Sequence, residues 1–235
     1  MSPFRILLIA ACLLLAPVCV PAQQTAAPPL APHIVFKLNW DKGLPWSDYV
    51  VTVQENGAAH FKGTGNATES GENDNFEQDF NMSEANLEKS FEWAKAANYF
   101  QGQFEAKQRN IAKTGIKTLE YHGPGIDSST TYNFSPNLNI QQLTKLFQAI
   151  AVTVDYGRKL SYQYRFDKLG MDTRLKELVD LRANGMAEEI QAIEPILRKI
   201  ADDDGVMHVA RMQAKQLLKS TNADVSTPKS GSAQP

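Results

Sequence analysis

Residues 49–65 read Tyr49-Val50-Val51-Thr52-Val53-Gln54-Glu55-Asn56-Gly57-Ala58-Ala59-His60-Phe61-Lys62-Gly63-Thr64-Gly65. Tyr49, Val51 and Val53 fall on one side of an extended chain, with Val50, Thr52 and Gln54 on the other. That is the period of two expected of a strand with one buried face. Glu55-Asn56-Gly57 supplies a hairpin turn, and His60-Phe61-Lys62 continues as the return strand, ending at Gly63-Thr64-Gly65. Upstream, Ile34, Phe36 and Leu38 alternate with Val35, Lys37 and Asn39 in the same way. Downstream, Phe76 to Met82 reads as a further strand. Ser83 then caps a helix with Glu84 in its first turn and Leu87, Phe91 and Ala94 on one face. Tyr99 and Phe100 close that helix onto the sheet. Ile116 to Tyr121 and Thr130 to Phe134 form a second hairpin around Gly123-Pro124-Gly125. The pattern predicts an α+β fold: an antiparallel sheet with one packed helix, followed by a small all-helical C-terminal region.

The period changes at about Asn139. Ile140, Leu143, Phe147, Ile150 and Val154 step by three and four, and the helix is able to run on through Leu160 and Tyr164. Gly170 interrupts it. Asp172 caps a second helix carrying Leu175, Leu178 and Leu181, which Gly185 stops. Glu188 to Ala201 form a third, bent or begun late at Pro195, and Val206 to Ser220 a fourth. The last pair, Ile193 to Leu218, loosely resembles a single HEAT-type unit in its placing of Pro195, Leu197, Arg211 and Ala214.

The first 22 residues read as an address. One positive charge, Arg5, precedes the apolar run Ile6 to Ala16, and Val20-Pro21-Ala22 sets small residues where a signal peptidase inspects the chain. The run is shorter than the ~20 residues that span a bilayer, so no transmembrane anchor is expected after cleavage. Cleavage after Ala22 removes Arg5 and both cysteines, which leaves a protein without thiols, suited to an oxidising compartment. The expected organisation is a signal peptide over 1–22, a Pro/Ala linker over 23–32, an α+β domain over 33–154, a helical region over 155–220 and a disordered tail over 221–235. The expected location is the periplasm or the extracellular space.

Other residues carry a resemblance. Gly43-Leu44-Pro45, Tyr49-Val50-Val51-Thr52-Val53, Asn56-Gly57 and Phe61-Lys62-Gly63 are similar to a hairpin of an uncharacterised family of exported bacterial α+β domains. Asn98-Tyr99-Phe100 at a helix end, and Pro136 before a closing helix, belong to the same pattern. The resemblance spans Ile34 to Ile150. It implies a ββαββ-type core and a bacterial envelope setting, and it brings no catalytic residue with it.

Composition narrows the function without naming it. With 24 basic against 26 acidic residues and a net charge of −2, the chain lacks the basic excess of a nucleic-acid binder. Its two cysteines exclude a disulfide-dense scaffold. His33, His60, His122 and His208 show no helical zinc spacing, so neither a metal nor another cofactor is expected. The acidic clusters at Glu69 to Asp79 and at Asp202-Asp203-Asp204 lack an EF-hand pattern, and Asp204 suits a helix N-cap. His60 and His122 lie beside hairpin turns. If those turns adjoin, the pair joins Glu120 or Asp127, and a hydrolase with a site near Glu120–Ser129 becomes the alternative. A second alternative is a small-ligand or glycan binder built from Trp40, Trp46 and Tyr49 around the Gly43–Pro45 turn.

Tyr156 to Lys168 mix aromatic and basic residues. Tyr156, Leu160 and Tyr164 recur every fourth residue as a packed face does, which leaves Tyr162 and Arg165 as candidate partner contacts. The leading expectation is an exported, non-enzymatic interaction or structural module whose partner is another envelope or extracellular protein.

Overall fold

The computed structural model describes residues 31–39, 46–65, 75–108 and 111–225. The leader at 1–22, Trp40 and the Gly43–Pro45 turn lie outside the described residues. The strands are β1 (His33–Asn39), β2 (Trp46–Gln54), β3 (Ala58–Gly65), β4 (Asn75–Asn81), β5 (Ile116–Gly123) and β6 (Ile126–Tyr132). They form one sheet in the order β4-β3-β2-β1-β5-β6, and every neighbouring pair is antiparallel. The central place goes to β1, where Ile34, Val35 and Phe36 are all buried. The edge strands β4 and β6 are polar on their outer face, which discourages pairing with foreign strands. The expected α+β class is the observed one.

One face of the sheet is covered by α1 (Glu84–Ala96) and by the first half of α2 (Leu138–Phe166). Phe36, Val51, Phe61 and Leu119 meet Ile140, Leu143, Phe147 and Ile150 there, all fully buried, with the rings of Phe36 and Phe147 stacked 5.3 Å apart. Each such side chain contributes roughly 1.5–3 kcal/mol on leaving water. At the end of α1, Asn98, Tyr99 and Phe100 adopt a left-handed turn. Phe100 is buried by it, and Tyr99 lies 4.6 Å from the Tyr121 ring, as expected of residues that close the helix onto the sheet.

The remaining helices are α3 (Met171–Ala183), α4 (Glu194–Asp202) and α5 (His208–Val225). They enclose a second core of Leu160, Met171, Leu175, Leu178, Leu197, Ile200 and Leu217. Pro195 sits in the first turn of α4, and a 3₁₀ turn at Ile190–Ile193 precedes it, which is the late start anticipated for this helix. Gly170 occupies the N-cap of α3, with Asp172 in the first turn instead. Helix α5 runs past the expected tail boundary to Val225; Thr221 is buried and its hydroxyl donates to Leu218 O at 2.7 Å. No glycine or proline interrupts it before Pro228.

The boundary at residue 154 falls inside α2, a single helix of 29 residues. Val154 belongs to the first core and Leu160 to the second. The segment 186–193 then ties the helical region back to the sheet side. Glu189 is 3% exposed, and its carboxylate accepts from Ser83 N at 2.7 Å, Ser83 Oγ at 2.8 Å and Asn86 Nδ2 at 2.7 Å, and from Gln191. Ser83 does occupy the N-cap of α1, yet its hydroxyl caps nothing; the carboxylate of Glu189 does the work from across the molecule. Gln78 donates to Ala192 O, and Thr153 Oγ1 donates to Glu188 O at 2.6 Å.

Gly157 marks the crossing point. A Cβ built there would overlap Ile193 Cγ2, so the missing side chain lets the 3₁₀ turn seat against α2. Gly157→Ala is expected to lower stability by ~1–3 kcal/mol in urea unfolding, although alanine gains ~1 kcal/mol in helix propensity. Every partner of Glu189 is a donor, so an amide in its place sets donor against donor. Glu189→Gln is expected to cost ~1.5–3 kcal/mol in the same measurement.

Candidate functional site

Among the described residues no helix packs on the second face of the sheet, and its side chains pair across the strands. Lys37 Nζ lies 2.6 Å from Glu120 Oε1, Lys62 Nζ 2.6 Å from Glu77 Oε1, and His60 Nδ1 2.7 Å from Asp79 Oδ1. At the far side His122 stacks on His33, its cross-strand neighbour, with ring centroids 4.8 Å apart. His122 Nδ1 is 3.2 Å from Asp127 Oδ1, and its Nε2 is 3.6 Å from Glu120 Oε2.

The two histidines of the hydrolase alternative do not meet. His60 is on β3 and His122 on β5, with β2 and β1 between them. Three strand spacings separate them by about 14 Å, too far for shared acid–base work. Ser128 faces the opposite side of the sheet and donates to Tyr99 O. Ser129 shares the open face but is paired opposite Glu120, and among the described residues no hydroxyl hydrogen-bonds His122. No group of three or more His, Cys, Asp or Glu side chains among the described residues is arranged to hold a metal ion.

What the open face does contain is a hollow of ≈ 310 Å³ over β2, β3 and β4. Thr52, His60 and Asp79 form one cross-strand row along it. Ala58 and Asn81 form the next, with Gln54 at the end of β2 beside them. Ala58 presents only a methyl group between the two carboxamides, and this absence of bulk makes the floor.

The second exposed feature is at the end of α2. Tyr162 and Phe166 stand 48% and 71% exposed with rings 4.9 Å apart, and Leu169 is 74% exposed. Arg165 is exposed beside them. The turn that presents them is braced on several sides. Asp167 Oδ1 accepts from Gly170 N at 3.1 Å, and Lys168 Nζ bonds Asp203 Oδ2 at 2.6 Å while lying 4.9 Å from the Tyr164 ring centroid. Asp203 also accepts from Gly205 N at 2.8 Å. Tyr156, Leu160 and Tyr164 pack against the second core, as their spacing of four implied.

The aromatic set expected around Gly43–Pro45 fares differently. Trp40 and the side chain of Trp46 lie outside the described residues. Tyr49 is a core residue, 5% exposed, its ring 5.8 Å from Phe61 and its hydroxyl pushed far above the usual tyrosine range by burial. It has no surface to offer a ligand. The Asp triplet divides its work: Asp203 pairs with Lys168, and Asp204 pairs with Arg211 rather than capping α5.

Lys117 escaped the sequence reading altogether. It is 4% exposed, and its Nζ donates to Thr114 O, Gly115 O and Asn133 O at 3.0, 3.0 and 2.8 Å and to Thr114 Oγ1 at 2.9 Å. Burial pushes its ammonium down to about 8 against the opposing pull of Glu105. This cage stitches the segment before β5 to the end of β6 and is structural.

No protein-family model matches the chain, and no curated protein is similar to it. The reading of function therefore rests on the hollow and the braced turn.

The Lys168 hydrogen bond, followed by that from Gly205, lowers the Asp203 carboxyl from 3.8 to about 2. A depressed carboxyl contributes stability that is present above its unfolded value and lost as pH falls through the folded one. Thermal unfolding followed from pH 4 down to pH 2 is therefore expected to fall less steeply in Asp203→Asn than in the wild type.

Proposed function

We propose that the protein is an exported, non-enzymatic interaction module of the bacterial cell envelope, and that the turn at the end of α2 is its docking surface. The observation that carries this reading is the exposure of Phe166 and Leu169 on a backbone held by the Asp167, Lys168 and Asp203 contacts. Large apolar side chains held out on a rigid turn gain free energy only when something covers them. A braced turn also loses little conformational entropy on binding. Tyr162 and Arg165 add the aromatic and guanidinium groups that interface centres favour.

The setting comes from the sequence. The pattern at 1–22 is that of a cleaved signal peptide, and the resemblance of Ile34 to Ile150 to exported bacterial domains agrees with it. Among the described residues no helix is long and apolar enough to cross a membrane. The partner proposed is accordingly another envelope or extracellular protein.

The test is affinity capture from an envelope extract with the whole chain as bait, beside a Phe166→Ser/Leu169→Ser variant of equal thermal stability. One saturable partner is expected on the wild type, and its recovery is expected to drop at least about tenfold on the variant, as for loss of a hot spot. Equal recovery on both baits, or no partner on either, contradicts the proposal.

A further inference from the structure

The hollow over β2, β3 and β4 is remote in kind from the apolar turn, and its chemistry is specific. Among the described residues the side chains of Thr52, Gln54 and Asn81 make no hydrogen bond, and all three line it. Elsewhere on the open face Lys37 pairs with Glu120, Lys62 with Glu77 and His122 with Asp127. Here the Thr52 hydroxyl and the two carboxamides stand around an alanine floor.

The arrangement dictates what is able to enter. The carboxylate of Asp79 only accepts, so His60 Nδ1 donates the proton of their 2.7 Å bond. Gln54 and Asn81 each offer a carboxamide with donors and an acceptor, and Thr52 offers a hydroxyl. Among the described residues no lysine or arginine lines the hollow, so the charge of an anionic ligand finds no Lys or Arg to pair with. Nothing is apolar beyond the alanines and Phe80, which belongs to the side of the sheet that packs on the core. The complement is an uncharged molecule whose own groups both donate and accept at close spacing, which is the chemistry of vicinal hydroxyls. A volume of ≈ 310 Å³ stands at the lower end of small-molecule sites, the scale of one or two rings.

We infer that this hollow is a binding site for a neutral saccharide, with the carboxamides of Gln54 and Asn81 and the His60–Asp79 pair as its hydrogen-bonding groups. It is an open site without an aromatic platform, so the affinity is low, with Kd ~1–10 mM.

Amide-resolved NMR titration of the whole chain with glucose, galactose and N-acetylglucosamine, up to ~50 mM on the affinity scale just given, tests it, with acetamide as the control for simple amide recognition. At least one sugar is expected to shift the signals of residues 52–60 and 79–81 saturably, and acetamide is not. Gln54→Ala and Asn81→Ala are each expected to raise Kd several-fold to about tenfold, the loss of one hydrogen-bonding group. Ala58→Leu fills the floor and is expected to abolish the shifts while the spectrum elsewhere stays that of the wild type. Absence of saturable shifts with all three sugars overturns the inference, as do saturable shifts located elsewhere, an equal response to acetamide, or sugar shifts unchanged in Gln54→Ala and Asn81→Ala. None of these outcomes bears on the apolar turn, whose test is separate.

Discussion

Helix α2 has to satisfy two cores that lie one beyond the other along its length. From Ile140 to Val154 it fills the underside of the sheet, and from Leu160 onward it serves α3, α4 and α5. A helix of 29 residues is about 43 Å long at 1.5 Å per residue, long enough to leave the sheet behind before it ends. Without a second contact the helical region would hang from α2 alone. The segment 186–193 supplies that contact through the Glu189 carboxylate, the Gln78 and Thr153 hydrogen bonds and the seating of Ile193 on Gly157. These are buried and directional contacts, and each loses its partner if the angle between the regions changes.

The functional reading depends on that fixity. The apolar turn sits where α2 ends and the chain reverses into α3, and its brace reaches to Asp203 between α4 and α5. It is thus tied to three helices rather than projecting as a loose loop. The hollow is fixed for a different reason, since its residues stand on three strands of a six-stranded sheet. Sites on strands and helices hold their geometry better than sites on loops. The two features thus stand on separate firm supports while offering opposite chemistry, one apolar and one hydrogen-bonding.

Local order was legible in the sequence wherever one face is buried. The alternation from Tyr49 to Gln54 and the turn at Asn56-Gly57 specify a hairpin by themselves, and the three-and-four stepping from Ile140 specifies α2. What remained hidden depends on residues distant in the chain. The pairing of His33 with His122 places β1 at the centre of the sheet, and no local pattern encodes a partner 89 positions away. Glu189 reads as an ordinary exposed acid near a helix start, whereas its burial is set by Ser83 and Asn86, more than 100 residues earlier. Gly157 reads as a weak point in a helix because its reason, Ile193, arrives later. Tyr49 was open to either use on its pattern, and only the rings of Phe36 and Phe61 assign it to the core. Tyr162 and Arg165 stand apart from the packed stripe in the sequence pattern, whereas the exposure of Phe166 and Leu169 depends on how the chain turns after α2 and has no local signature.

Hydrogen exchange read amide by amide on the whole chain tests the rigid frame most directly, because it reports opening energies for each region separately. The expected result is a single slowest class shared by β1, β5, the middle of α2 and α4, with Gly170 N protected in the braced turn. Two distinct opening energies for the sheet and the helical region, or free exchange at Gly170, would contradict it.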